Sequence, residues 1–496
     1  MPRRPRWLVA KEGTRHAGAA MLLWGLAAAL VTTLVLVQIT PSVWPTTDGR
    51  GAALRESVAV LEHGGPLLVG RSKGAAGVYH QIDKGDDEGE YVYVPVLSRL
   101  FQVSDPLVML RDLYIAIIAA TAAFYPLIFY RLTWSLLAGA AAPFIFLVCV
   151  ISMGFLDIYW IPAWGALALL PLVFLLARDW PRFGILAVAG ITLAASWMSS
   201  IRSDSGLGIA VAASAVLLLR RWRWWRLLPA LAALAVIYIS VNTFGITAVR
   251  AARDHRIGRA ASAKLEVTTA HTFWHTAYAG LGYLPNRYGL IFSDGTPDAV
   301  VHREAPGTIF LSHRYEAVVR KAFLRFVREH PLEAARQYGA KMVVVIADTT
   351  PYLLIVLLTL PAMLLVGPDR RIVRRWVLLT VPALIVAFLP VMMAIPLEPY
   401  EQGLYGVIGV LGVLGLSWML KRVEDVFREG GGLRSMLVAA TIGHRAAPGW
   451  RSARIGISAV MALIAASFGG YFVREDANRW YGAQSGALME LYPFRE

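Results

Sequence analysis

Apolar residues fill long unbroken runs of this chain, and polar residues are confined to the gaps between them. A helix needs about 20 apolar residues to cross a bilayer. Runs near that length lie at about 19–39, 109–130, 135–153, 158–177, 184–200, 206–219, 227–247, 343–366, 376–395, 403–419 and 456–473. The pattern predicts an all-α polytopic membrane protein with about eleven transmembrane helices. Two gaps, 40–108 and 248–342, are long enough to fold. In the first, "GAALRESVAVLEHG" reads as a helix. In the second, "RYEAVVRKAFLRFVREHP" repeats paired apolar residues every four positions, flanked by Arg320, Lys321, Arg325 and Arg328. That spacing predicts an amphipathic helix lying in the membrane interface and stopped at Pro331. Three units result: a transmembrane module over 1–247 with an outer segment 40–108, a loop over 248–342 with the interfacial helix, and a second transmembrane module with an outer tail over 343–496.

Charge gives the threading a direction. Only 16% of residues are charged, against about a quarter in soluble domains, yet the formal net charge is +15. The connections "YRLTW", "ARDWPR", "RRWRWWR", "GPDRRIVRRW" and the segment from Lys421 to Arg454 are all basic and lie at ends of apolar runs. The alternate connections hold 25 of the 33 acidic residues. The positive-inside rule then predicts a cytoplasmic N-terminus, with both long segments outside. The same distribution argues for membrane lipids and against nucleic acid as the partner. The first apolar run is too long for a signal-peptide core and no A-x-A site follows, so an uncleaved first span is expected. The single cysteine, Cys149, allows no intrachain disulfide.

Four stretches carry candidate chemistry. "GDDEGEY" places Asp86, Asp87, Glu88 and Glu90 before Tyr91. Crowded carboxylates near a membrane surface can supply a general base, or oxygen ligands for a divalent cation. "SSIRSDSGLG" puts Arg202 and Asp204 in a short turn between spans, where an Arg fork suits a phosphate and a local Arg–Asp pair is the plainer explanation. "HTFWHTAYAGLGYLPNRYGL" offers His271 and His275 four apart, Trp274, Tyr278 and Tyr288 for stacking on a sugar or for the membrane interface, and Asn286 and Arg287. Asp348 in "VVVIADTTPYLL" reads as the cap of a helix restarting near Pro351. No phosphate-binding glycine loop for ATP or NAD and no Cys/His zinc pattern is present.

An uncleaved first span followed by an outer loop with an Asp-Asp pair and an aromatic resembles the GT-C glycosyltransferases. "GDDEGEYVYVPVLSRLFQVSDPL", "SIRSDSGLG" and "WHTAYAGLGYLPNRYGL" look like segments of bacterial, actinobacterial-type members. The resemblance covers about a fifth of the chain. It implies a transferase of the bacterial plasma membrane, active on the outer face in cell-envelope biogenesis. Its co-substrate would be a polyprenyl-phosphate sugar, and its acceptor a glycan, lipid or protein. On this reading Asp87 or Asp86 is the base, and Arg202, Arg287, His271 and His275 meet the donor phosphate. Glu88, Tyr91, Trp274, Tyr278, Asn286 and Tyr288 line the substrate. The acidic pair lies farther from the first span than in many relatives, so Asp48 is a rival base. Two other readings stand beside it. One is an O-antigen-ligase-like or polymerase-like transferase using His and Arg of the late loop. The other is a transporter or flippase for lipid-linked sugars.

Overall fold

The computed structural model describes residues 6–40, 50–71, 79–82, 88–153, 160–202, 205–220, 222–258, 273–366, 370–396, 398–428 and 473–475. The protein is helical apart from one short antiparallel hairpin, β1 (Val69–Arg71) with β2 (Tyr79–Gln81), in which Gly70 pairs with His80. Nine helical stretches among the described residues are long and apolar enough to cross a membrane. The chain is therefore a multi-pass membrane protein. The expected run at 206–219 forms α8 (Leu207–Leu219), shorter than the other spans, and the run at 456–473 lies almost wholly outside the described residues.

The first spans are α1 (Arg6–Ile39), α4 (Pro106–Thr133), α5 (Leu136–Met153), α6 (Ile161–Arg178) and α7 (Gly184–Ile201). Local chemistry sets their ends. Asp105 caps α4 by accepting from the Leu107 N–H at 3.1 Å, and Pro106 occupies the first turn, where no N–H is needed. At the other end Trp134 turns left-handed, with φ 58°, and its N–H closes on the Tyr130 carbonyl at 2.6 Å. Next come α9 (Trp224–Ile239), a π-helical stretch over Ser240–Gly245, and α10 (Ile246–Ile257), which run on without a break. The expected span at 227–247 thus continues ten residues into sequence that reads as loop.

Three helices complete the bundle: α14 (Pro331–Val366), α15 (Arg370–Met393) and α16 (Glu398–Arg428). The last is the central post, packed on α5, α6, α14 and α15. Gly406 permits its approach to α6, since a Cβ there would lie 2.5 Å from the Ala163 Cα. Asp348 caps nothing. α14 runs unbroken through Pro351, and the Asp348 carboxylate instead accepts from Arg474.

Two layers cover one end of the bundle, called here the loop end. The early layer holds α2 (Arg50–Glu62), the hairpin and α3 (Glu88–Phe101), with α10 beside them. The late layer holds α11 (Phe273–Ala279), α12 (Gly295–Glu304) and α13 (His313–Glu329). The expected interfacial helix is α13, and it stops just before Pro331. Its apolar face does not lie on the membrane, however. Tyr315, Val319, Ala322 and Phe326 close on Tyr278, Leu281, Val300 and Val301, a core built from the loop itself. Arg314, Arg320, Lys321, Arg325 and Arg328 are left outside. A local apolar partner satisfied the stripe before lipid could.

Candidate functional site

The carboxylate-rich stretch and the short turn after α7 meet at the loop end. Asp86, Asp87 and the rival Asp48 lie outside the described residues, as do His271 and Asp204. The residues that follow the Asp pair begin α3, and its whole first turn is buried. Gly89 makes this fit possible, because a Cβ there would fall 2.4 Å from the Ser200 carbonyl oxygen and 2.9 Å from the Ile201 nitrogen. One turn later Tyr93 and Ser200 share a hydrogen bond of 3.0 Å, and the Tyr93 ring packs on Trp197 at 5.9 Å.

The neighbouring Glu88, only 6% exposed, accepts from the Arg250 Nε at 2.6 Å. Its carboxylate is therefore spent on an ion pair rather than open to a substrate. Arg253 follows one turn along α10. Its side chain is 2% exposed, and its Nε donates to Asp254 at 2.8 Å. Among the described residues its buried Nη2 finds no hydrogen-bond partner. Farther along, Arg256 donates to the Gly64 carbonyl, which ties this face of α10 to the end of α2. Sequence reading passed over these arginines. Their spacing of three in "AVRAARDHRI" puts Arg250, Arg253 and Arg256 on one helical face, which was the available signal.

Arg202 caps the C-terminus of α7 and is 9% exposed. It lines a narrow cleft of about 30 Å³ with Pro162, Ser205, Pro390, Tyr400 and Gly403, drawn from α6, the α7–α8 turn, α15 and α16. That volume holds a water or one phosphate oxygen, not a sugar ring. Tyr400 also packs with Tyr283 and Leu284, so the cleft adjoins the late layer. Ser199 and Ser205 stiffen the turn: Ser199 Oγ accepts from the Gly206 N–H at 2.9 Å and Ser205 Oγ donates to the Arg202 carbonyl at 2.7 Å.

The other expected residues divide between two places in the late layer. His275 is buried, with its Nδ1 2.9 Å from the Tyr315 hydroxyl and its Nε2 3.1 Å from Asp294. Burial raises the Tyr315 pKa, with Asp298, Asp294 and Glu316 adding to it, so the phenol keeps its proton. The consistent arrangement is Tyr315 donating to His275 and His275 donating to Asp294. Tyr278 belongs to the core beside them, and Tyr91 to the bundle core, so packing takes both rings. Trp274 packs tilted against Phe323, with ring centroids 5.6 Å apart, under the Arg320 guanidinium.

The second place is a groove of about 670 Å³ lined by Asn286, Arg287, Tyr288, His330 and Arg336. Here Asn286 serves the backbone: its Oδ1 accepts from the Tyr288 and Leu290 N–H groups, and its Nδ2 donates to the Leu284 and Leu290 carbonyls. Arg287 is exposed, lies over the Tyr288 ring at 5.2 Å and donates to its hydroxyl at 3.1 Å. That hydrogen bond, more than charge, raises the already high pKa of the guanidinium.

Among the described residues no group of three or more His, Cys, Asp and Glu side chains converges as a metal site would need. Two further buried ionisable side chains escaped sequence reading. Lys341 donates to the Met392 carbonyl at 2.9 Å, capping the end of α15. Glu401 accepts from Tyr405 at 2.5 Å and is hydrogen-bonded to Asp348. No known protein-family profile matches the chain, and no curated protein sequence matches it.

Proposed function

We propose that this protein is a membrane glycosyltransferase of GT-C type, taking a sugar from a polyprenyl-phosphate donor and passing it to a cell-envelope acceptor. On this reading the loop end faces outward, the N-terminus is cytoplasmic, and the membrane is a bacterial plasma membrane. The observation that carries the reading is the meeting of two charged stretches. Arg202 lines a cleft at the loop end, and Gly89 of the carboxylate stretch sits on the backbone immediately before it.

In the reaction the bond from the sugar carbon to the phosphate oxygen breaks, and a bond to the acceptor oxygen forms. Asp87 or Asp86 takes the acceptor proton as general base. The leaving polyprenyl phosphate gains negative charge, which the Arg202 guanidinium offsets. The buried, unfilled donor of Arg253 adds positive potential on the α10 side. The sugar lies above the narrow cleft, where only a phosphate oxygen enters.

The test is release of polyprenyl phosphate from a panel of polyprenyl-phosphate sugars by the purified protein. Arg202→Ala should slow release by about 10²-fold, as loss of one charge-stabilising donor does elsewhere, and Arg202→Lys by less. No release from any donor by wild type would reject the transferase reading. One observation favours a ligase-like transferase instead, namely the sugar-sized groove beside Arg287. That reading gains if Arg287→Ala stops transfer while Arg202→Ala, Asp86→Asn and Asp87→Asn all leave it intact.

A further inference from the structure

A second recess lies at the opposite end of the bundle, where the proposed reaction has no use for it. It is an apolar groove of about 620 Å³ between α4, α6 and α7. Its walls include Phe124, Leu127, Leu172 and Ile191. Gly190 also lines it, and a Cβ added there would meet nothing within 4 Å. The charged residues lining the groove are Arg131 and Asp179, both at its mouth and both exposed. Phe124 and Arg131 are two turns apart on α4, so the apolar channel runs roughly 10 Å inward from the charged mouth. One leaflet of hydrocarbon is about 15 Å deep. The groove thus has the depth and polarity of a lipid standing in one leaflet.

We propose that this groove binds a membrane phospholipid whose headgroup carries both a phosphate and a primary amine. The alkyl chain lies along the apolar wall, Arg131 meets the phosphate, and Asp179 accepts from the ammonium. Charge complementarity selects this occupant, because a mouth with one cation and one anion matches a headgroup with one of each. Trp134 marks the interfacial level at this end, with the Arg131 guanidinium 5.5 Å and the Arg178 guanidinium 5.8 Å from its ring centroid. Arg178 and Arg220 are committed elsewhere. Arg178 donates to the Leu132 carbonyl, and Arg220 to the Leu176 and Ala177 carbonyls, which closes helix ends.

The full-length protein, purified and stripped of lipid, is titrated with dioleoyl phosphatidylethanolamine, phosphatidylglycerol or phosphatidylcholine, and bound lipid is counted by native mass spectrometry. Phosphatidylethanolamine should bind about tenfold more tightly than the other two, a single charge-assisted contact deciding the difference. Asp179→Asn should erase its advantage over phosphatidylglycerol. Gly190→Phe should remove the tight site, and it fills open space, so its thermal unfolding midpoint should match wild type. Equal affinity for the three lipids would overturn the proposal. So would tight phosphatidylethanolamine binding that survives both variants, or a preference for phosphatidylglycerol that Asp179→Asn leaves unchanged.

Discussion

The two layers over the loop end bury different things. The early layer turns charge inward: Glu88, Glu90, Arg250 and Arg253 are buried or nearly so, and α3 rests on the backbone of α7. The late layer turns charge outward. It has its own apolar core and leaves five basic residues of α13 in solvent. A buried charge costs several kcal/mol unless partners offset it, so a chain retains one for a reason beyond folding. An apolar core with a charged rim needs no such reason. The contrast separates an early layer that buries its charges from a late layer that exposes them. The late layer becomes a cover that presents a groove.

The comparison breaks first at Glu88. Glu88→Gln leaves Arg250 facing a neutral amide and should cost about 2–4 kcal/mol of stability, measured by chemical denaturation in detergent. The double variant Glu88→Leu with Arg250→Met should recover most of that loss. If Glu88→Gln costs less than about 1 kcal/mol, the early layer does not depend on its inward charge.

In the late layer the corresponding variant is Tyr315→Phe. It removes the donor to a buried His275 and nothing else, so about 1–2 kcal/mol is expected in the same assay. A larger loss than Glu88→Gln would reverse the contrast.

The smallest effect sharpens the picture within the early layer. Asp105 sits at its rim, capping α4 and taking two hydrogen bonds from Arg55 at 3.3 and 3.2 Å. Asp105→Ala should cost about 1 kcal/mol at neutral pH. Partial burial pushes its pKa up, but the bonds from Arg55 and the Leu107 N–H outweigh that and hold it below the ordinary 3.8. A depressed folded-state value means the contribution is present above the ordinary pKa and disappears as pH falls through the folded one. The gap between wild type and Asp105→Ala should stay constant from neutral pH to about 4, then close in stronger acid.

The spans were legible because a bilayer imposes length and apolarity on every crossing, and α13 because its period of four survives whichever surface receives it. The target of its apolar face was not legible. That face could meet lipid or Tyr278 and Leu281, and only the tertiary fold decides. α10 reads as loop because its sequence is polar. It is helix because Glu88 and the Gly64 carbonyl hold its arginines from elements far back in the chain. Asp348 misled for the same reason, its partner Arg474 lying 126 residues away. Types of candidate residue were visible in sequence, but their grouping was not. Arg202 lines one cleft, Arg287 another, and Tyr278 packs in the late layer's core.

The π-helical stretch over Ser240–Gly245 sets the phase of all that follows it in the same helix. A π turn carries one residue more than an α turn, and each α-helical residue advances the face by about 100°. Arg250 reaches Glu88 of α3, and Arg253 its buried position, only with that extra residue counted in. Removing one residue from the stretch would keep every side chain of the early layer and still swing both guanidiniums a quarter-turn or more off target. The inward charge of this layer is thus keyed to a tally of backbone units as firmly as to the identity of its arginines.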